Sequence, residues 1–385
     1  MSTKTKQEVM AKLTQKYVGA GAEYRVKLID QVVELMGCHR KSAIRALNKK
    51  PRAKIARPPG IKTGRPREYH SDTLLPVLKP IWFASNQPCG CRLRAMLPEW
   101  IPAYEADHCR LDRDVRRALL SVSTRSLDRL LAPLRASCAR RSATRPGTML
   151  RQSIPIRGMW DEEGPGWVEM DTVAMCGGML DDLHLWMLDV VDIHTHWIEL
   201  RALANRGQHS TCEQIGDIEK SLPFALLGAD CDNGGEFINH HLVRFFAERQ
   251  KPVFLTRSRP YHKNDNAHVE QRNSSHIRAQ FGHDRYDNPQ VVELINALCK
   301  GALGQMNNHF LCTLKLKEKR RREKKITRIY GPAKSAYERV LQAPQVEAKI
   351  KAKLQAEHAT LNPFQLAREI EAQKKKIEEL RRLRT

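Results

Sequence analysis

At 385 residues the chain exceeds a usual single domain, and about one domain per 150 residues predicts two or three units with room for a real core. With 28% charged residues, a mean hydropathy of −0.54 and no apolar run near the roughly 20 residues that span a bilayer, a membrane role is excluded as a first reading. The opening MSTKTKQEVMAKLTQKY lacks the apolar stretch of a secretory signal, so a reducing cytoplasm is expected, with the ten cysteines as thiols. Cys89, Cys91, His108 and Cys109 come nearest to a zinc pattern, but a CxC pair and adjacent ligands suit tetrahedral spacing poorly.

The 66 Lys and Arg outnumber the 43 Asp and Glu, for a formal charge of +23. The excess is uneven: residues 1–70 carry +12, 71–157 carry +8 and 313–385 carry +12, whereas 158–300 carry −9. Basic segments around an acidic centre read as arms that neutralise phosphates beside a domain whose carboxylates do something else.

In chain order, helices are expected over 6–18, 22–36 and 38–50, with Gly37 at a turn and Val32, Val33, Leu35 and Met36 facing a small core. Arg40, Lys41 and Arg45 fall on the short third helix, so residues 1–50 read as a helix-turn-helix whose cations fix it on phosphates. Residues 51–70 form a basic, proline-rich linker; Arg65 and Arg67 in its GRPR resemble the short arginine arms that lie in a minor groove, an inert linker being the alternative. Residues 71–137 read as a second helical DNA-binding domain, Ser123 capping a last helix from which Arg125, Arg129 and Arg135 project. Residues 138–159 are a polar, basic linker.

From residue 166 the periodicity changes. WVEMDTVAM, LHLWMLDVVDI, HWIELRAL, FALLGAD and PVFLTRS are short apolar runs with β-branched and aromatic content, and helices are expected at 208–220, 236–249, 265–280 and 289–307. Residues 160–310 are therefore an α/β domain. Residues 311–385 form a basic, largely helical region: KLKEKRRREKK at 315–325 is a charge run, and 364–384 is a long helix with a sparse apolar stripe.

Three carboxylates stand where this secondary structure would converge them. Asp171 lies inside the first strand, Asp232 follows FALLGAD, and Glu270 is near the start of a helix. A charge in a strand core is costly unless it is paired or binds a cation, and Mg²⁺, which takes a few carboxylate oxygens plus water and phosphate, supplies that compensation. Glu169 and Asp230 are expected to point away from the metal side, although Asp230 shares the parity of Asp232 and is open to a supporting role. Asp189 and Asp192 fall on the second strand, one of them facing inward.

MDT at 170–172, DNGGEF at 232–237 and PYHKNDNAHVEQRN at 260–273 resemble the motifs of the DDE transposase and retroviral integrase superfamily. Sixty residues separate Asp171 from Asp232 and 37 separate Asp232 from Glu270, near the D,D-35-E spacing of that family. The resemblance covers about 160–300, and the flanking helices resemble those of bacterial insertion-sequence transposases. It implies a multidomain chain: a helix-turn-helix region, an RNase H-like integrase catalytic core and a basic C-terminal region. It further implies Asp171, Asp232 and Glu270 as catalytic ligands of Mg²⁺ with Mn²⁺ as substitute, transposition by cleavage of element ends and strand transfer into target DNA, and a homo-oligomer in the bacterial cytoplasm at the nucleoid. Many members carry Lys or Arg seven residues after the glutamate; here Ile277 stands there, which leaves Lys263, Arg272 and Arg278 as the expected DNA contacts near the site. The His-His-Cys-Cys zinc module of retroviral integrases is absent. Two other readings stand beside this one: a metal-dependent nuclease without joining activity, and a non-catalytic DNA-binding regulator derived from a transposase.

Overall fold

The computed structural model describes residues 3–48, 69–137, 164–177, 183–231, 237, 240–257, 273–322 and 325–383. They belong to two compact units, Met1–Pro66 and Arg67–Thr385. Among the described residues no helix is long and apolar enough to cross a membrane.

The first unit is three helices, α1 (Thr3–Val18), α2 (Ala22–Met36) and α3 (Arg40–Leu47). Leu13, Tyr17, Leu28, Ile29, Val32, Ala43 and Leu47 form its small core. Gly37 ends α2 with φ of 63°, a left-handed position that favours glycine, and its N–H donates to the Val33 carbonyl. The His39 side chain caps α3 by accepting from the Lys41 N–H. Leu35, expected in this core, is instead 43% exposed, because the stripe of α2 runs through Leu28, Ile29 and Val32.

In the second unit, four helices precede the sheet: α4 (Ser71–Ala84), α5 (Gly90–Asp107), α6 (Arg113–Ser121) and α7 (Thr124–Ser137). The strands are β1 (Trp167–Ala174), β2 (Trp186–Asp192), β3 (Ile198–Leu203), β4 (Gly228–Cys231) and β5 (Phe254–Arg257), in the order β3-β2-β1-β4-β5. β1, β2 and β3 form an antiparallel meander, while β4 and β5 run parallel to β1. Parallel neighbours need crossovers, which α8 (Gln208–Ser221) and α9 (His240–Ala247) supply.

Each face of the sheet has its own cover. Val168, Met170, Leu188, Val190, Ala229 and Cys231 pack with Ile215 and Ile218 of α8 and Leu242 and Phe246 of α9. On the opposite face, Val173, Met187, Val191 and Leu200 share one apolar cluster with α4–α7, the helix Val291–Lys300 and the C-terminal helix Pro363–Arg382. The regions expected as 71–137, 160–310 and 311–385 therefore meet in a common core.

Two expected elements differ. The helix read over 289–307 breaks at Gly301 and continues as Ala302–Gln305 and a π-helical turn, Met306–Phe310. The charge run at 315–325 lies in a hairpin, β6 (Leu316–Arg322) and β7 (Lys325–Tyr330), a two-stranded sheet of its own. The density of lysine and arginine there masks the strand signal of Leu316, Ile326, Ile329 and Tyr330.

The C-terminal segment is fastened at two points. Asp192, at the end of β2, accepts from the Gly166 N–H (2.8 Å) and from the N–H and hydroxyl of Thr195 (2.6 Å each), which shapes the β2–β3 turn, where His196 sits at φ of 63°. Burial raises the Asp192 pKa against those bonds. Arg339 reaches that turn, donating to the carbonyls of Thr195 (3.3 Å) and Thr313 (2.7 Å) and to the Thr313 hydroxyl (2.8 Å). At the second point, His358 Nε2 lies 2.7 Å from Glu99 Oε1 on α5, and its Nδ1 is 3.2 Å from Nδ1 of His309. Tyr337 stacks on His358 at 4.2 Å. Burial, and the neighbouring His358, push His309 down to about 4.

Two outcomes follow from these contacts. Trp100, fully buried on α5 and in edge contact with Phe310 and Phe364, bridges the helices and the tail. Trp100→Ala is expected to cost about 3–5 kcal/mol, with hydrogen-exchange protection falling in α4–α7, the sheet and the C-terminal helix together. His309 is held neutral when folded and titrates near 6.5 when unfolded, so the unfolded chain binds the extra proton between those values. Stability is therefore expected to be full above about pH 6.5 and to decline as pH falls toward 4, and His309→Gln flattens that part of the denaturant-midpoint profile.

Candidate active site

Side chains alternate along β1, so Val168 and Met170 enter the core beneath α8 and α9 while Glu169, Asp171 and Val173 share the other face. Pairing register adds two further acids to that face. Asp189 of β2 lies directly opposite Asp171, and Asp230 of β4 lies opposite Glu169. Glu169, Asp189 and Asp230 are buried to within 1% of full burial, whereas Asp171 is half-buried. The Thr172 N–H donates to Asp171 Oδ1 at 2.8 Å, and the Thr256 hydroxyl of β5 donates to Asp230 Oδ1 at 2.6 Å.

The expectation that Glu169 and Asp230 point away from Asp171 is thus corrected. Glu169 stands two residues from Asp171 and shares its face by simple alternation. The 2.0-residue period was legible in the sequence; the registers that bring Asp189 and Asp230 to it were not, since pairing is a tertiary property. Asp192 shapes a turn, as described above.

β4 ends at Cys231, whose Cα partner is Met170, so the chain leaves the sheet beside Asp171. Asp232 is the next residue in sequence. Asp232 and Glu270 lie outside the described residues, as do Lys263, Arg272, Arg65 and Arg67. Among the described residues no group of three or more His, Cys, Asp or Glu side chains is arranged to hold a metal ion.

The expected basic contacts divide by surroundings. Arg125 and Arg129 on α7 and Lys41 and Arg45 on α3 are exposed. Arg40 is exposed and pairs with Asp30 at 2.8 Å. Arg135, expected to project from α7, instead pairs with Asp128 (2.8 Å) and donates to the Pro88 carbonyl (3.3 Å), which ties α7 to the start of α5. Arg278 is half-buried at the end of a π-helical turn, Asn273–Arg278, and donates to the Ala174 carbonyl at 2.7 Å, so it anchors that turn to the end of β1. Burial lowers its pKa. Ile277 is fully buried in the apolar cluster, which accounts for the absence of a cation at that position.

The opposite face carries charge of another kind. Arg201 of β3, fully buried, donates to Glu199 (3.0 Å), Asp217 (2.7 Å) and Ser221 (3.1 Å), and Lys300 pairs with Asp217 at 2.8 Å. Burial raises the Glu199 pKa despite Arg201; at Asp217 burial acts the same way but the bonds from Lys300 and Arg201 outweigh it and hold the carboxyl low. Each acid here has its cation, so the network holds α8 to the sheet.

The geometry defines an α/β protein with a mixed five-stranded sheet whose central strand carries an acid at the sheet's exit. The chain is 31% identical over 345 residues to the uncharacterized protein y4rM of Sinorhizobium fredii, a match spanning 86% of this chain and 94% of that protein, and it belongs to the same family as y4rM. No family model matches the chain. Among solved structures, it is similar to a chain of the simian T-cell lymphotropic virus intasome in complex with PP2A regulatory subunit B56 gamma, at a TM-score of 0.32 and 12% identity over 55% of this chain and 69% of that one. It is also similar to the catalytic core domain of BIV integrase, at a TM-score of 0.28 and 15% identity over 38% of this chain and 84% of that one.

Thr256→Val removes the hydroxyl donor to a buried carboxylate. It is expected to destabilise the protein by about 1–3 kcal/mol, measured as a shift in denaturant midpoint at unchanged m-value.

Proposed function

We propose that this protein is a DDE-type DNA transposase, a polynucleotidyl transferase that cuts element ends and joins them to target DNA. The observation that carries the reading is the position of Asp171. It sits half-buried on the central strand, beside the end of β4 that leads directly into the DNGGEF block containing Asp232. The spacing of Asp232 and Glu270 within motifs that resemble the superfamily supports the same reading.

In this account Asp171, Asp232 and Glu270 hold Mg²⁺, with Mn²⁺ as substitute. The donor set is all oxygen, the chemistry of a hard cation. Two such ions, when bound, activate an attacking hydroxyl and stabilise the leaving oxygen of an in-line displacement. Asp171 contributes a carboxylate that is fixed by the strand and oriented by the Thr172 N–H. Water attacks first at the element end, and the freed 3′-hydroxyl then attacks target DNA, so no covalent protein intermediate is required. Exposed Lys41, Arg45, Arg125 and Arg129, together with Arg40, Arg65, Arg67, Lys263 and Arg272, serve as phosphate contacts. Arg278 acts through the turn it anchors. The helix-turn-helix role of residues 1–50, the second DNA-binding role of 71–137, the catalytic role of 160–310 and a homo-oligomer that synapses two ends belong to the same proposal, as does residence in the bacterial cytoplasm.

The test is strand joining in Mg²⁺ or Mn²⁺ with labelled DNA copied from both flanks of the gene. Wild type is expected to give joined product, and Asp171→Asn and Asp232→Asn are each expected to reduce it by about a hundredfold or more while retaining DNA binding. Cutting without joining would favour a nuclease. Binding of the flanks with no product from any protein would favour a non-catalytic regulator.

A further inference from the structure

The exit half of β1 has a strand on one side only. β4 pairs with β1 over Trp167–Met170, whereas β2 pairs with it as far as Ala174. Met170 is therefore the last residue of β1 held between two strands, and Asp171 is the first that has β2 alone among the described strands. Backbone direction alternates along a strand. The Trp167 carbonyl accepts from the Ile193 N–H just past β2, so the Ala174 carbonyl, an odd number of residues on, faces the side that β4 has left. A carbonyl without a strand partner needs a donor from elsewhere.

Arg278 supplies that donor. Its guanidinium donates to the Ala174 carbonyl at 2.7 Å and to the Met175 sulfur at 3.7 Å, and among the described residues no carboxylate pairs with it. The turn that carries it is itself fixed: Ile277 is fully buried, Phe281 is 4% exposed, and the Tyr286 hydroxyl donates to the Phe281 carbonyl at 3.1 Å. The chain just beyond β1 is caught as well. The Met175 N–H donates to the Leu185 carbonyl and the Met175 carbonyl accepts from the Tyr286 N–H, at 2.9 Å each. A half-buried guanidinium with no counter-ion is costly, and here its donors go to a strand end about 10 Å past Asp171.

We propose that Arg278 is a positioning residue of the candidate active site. It stands in for the donor that β4 does not supply, and so keeps β1 from fraying back to Met170. Asp171 lies between those two points, so the aim of its carboxylate depends on Arg278. The metal-ligand role served in this way rests on the transposase reading above.

The experiment uses the full chain with Arg278→Gln and Arg278→Lys. Amide hydrogen exchange is read first, without metal or DNA, at Asp171, Val173 and Met175, whose N–H groups face β2. Arg278→Gln is expected to speed exchange there by about tenfold or more, with the Glu169 amide at its wild-type rate. Arg278→Lys, whose ammonium can still donate to a carbonyl, is expected to restore most of the protection. The Mn²⁺ concentration for half-maximal strand joining is expected to rise about tenfold or more in Arg278→Gln, with KM for the duplex unchanged. Unchanged exchange over Asp171–Met175, an equal rise at Glu169, or a raised KM at unchanged Mn²⁺ dependence, the mark of a phosphate contact, would each overturn the proposal. Mn²⁺ affinity without DNA, read by water-proton relaxation, separates this proposal from the transposase reading. If wild type joins nothing while exchange and Mn²⁺ affinity shift as expected, the transposase reading falls and the positioning role stands. If wild type joins and Arg278→Gln does so at the wild-type Mn²⁺ concentration, the positioning role alone falls.

Discussion

Moving a carboxylate out of water costs several kcal/mol unless a cation or hydrogen-bond donors meet it, and β1, β2 and β4 bring Glu169, Asp171, Asp189 and Asp230 to one face of one sheet. The strand positions leave the backbone no freedom to turn these side chains elsewhere, because a one-residue slip would also drive Val168, Met170, Leu188 and Ala229 out of the core beneath α8 and α9. The apolar register on one face therefore fixes the acidic register on the other. Asp171 differs from its three companions in being only half-buried, at the edge of the sheet's described core where β4 lets the chain go. A carboxylate so placed reaches solvent, whereas its three companions are sealed in the sheet.

The rest of the second unit keeps that face rigid. α4–α7 and the C-terminal helix share a cluster with the sheet, so the basic helices before the acidic centre and the basic helix after it are part of one packed body. Arg339 and the Glu99–His358–His309 series tie the tail to a β2–β3 turn and to α5 respectively. The charge partition of the sequence thus has a structural counterpart: acids in the sheet and cations on its surroundings. On the sheet's other face, Arg201 neutralises Glu199 and Asp217, which shows what a saturated structural ion network looks like in this protein.

Much of the architecture was legible in the residues. Short β-branched and aromatic runs marked all five strands of the main sheet, Gly37 marked the left-handed end of α2, and Ser123 marked the start of α7, where its hydroxyl accepts the Ser126 N–H. The β6–β7 ribbon is not legible in the sequence, because charge density there overrides the strand propensity of Leu316, Ile326 and Ile329. Domain boundaries drawn from composition did not reveal a common core, since the sparse stripe of Leu366, Ile370 and Ile377 reads as a solvated helix until its partners on α5 and Val291–Lys300 are known. The place of Asp171 on the first strand is legible from the pattern of apolar residues around it. Glu169 was misread against its own alternation, and Asp189 and Asp230 required the strand register. Arg135 and Arg278 looked like free cations because sequence shows charge but not the carbonyls of Pro88 and Ala174 that receive it.

The proposed function makes Asp171 a ligand of a catalytic divalent cation. Its most direct test is the anomalous signal of Mn²⁺ in crystals of the full chain bound to a short duplex. The expected result is a peak at the roughly 2.1 Å of hard-cation ligation from an Asp171 carboxylate oxygen, lost in Asp171→Asn. A peak confined to other carboxylates, or none near β1 at saturating Mn²⁺, would contradict it.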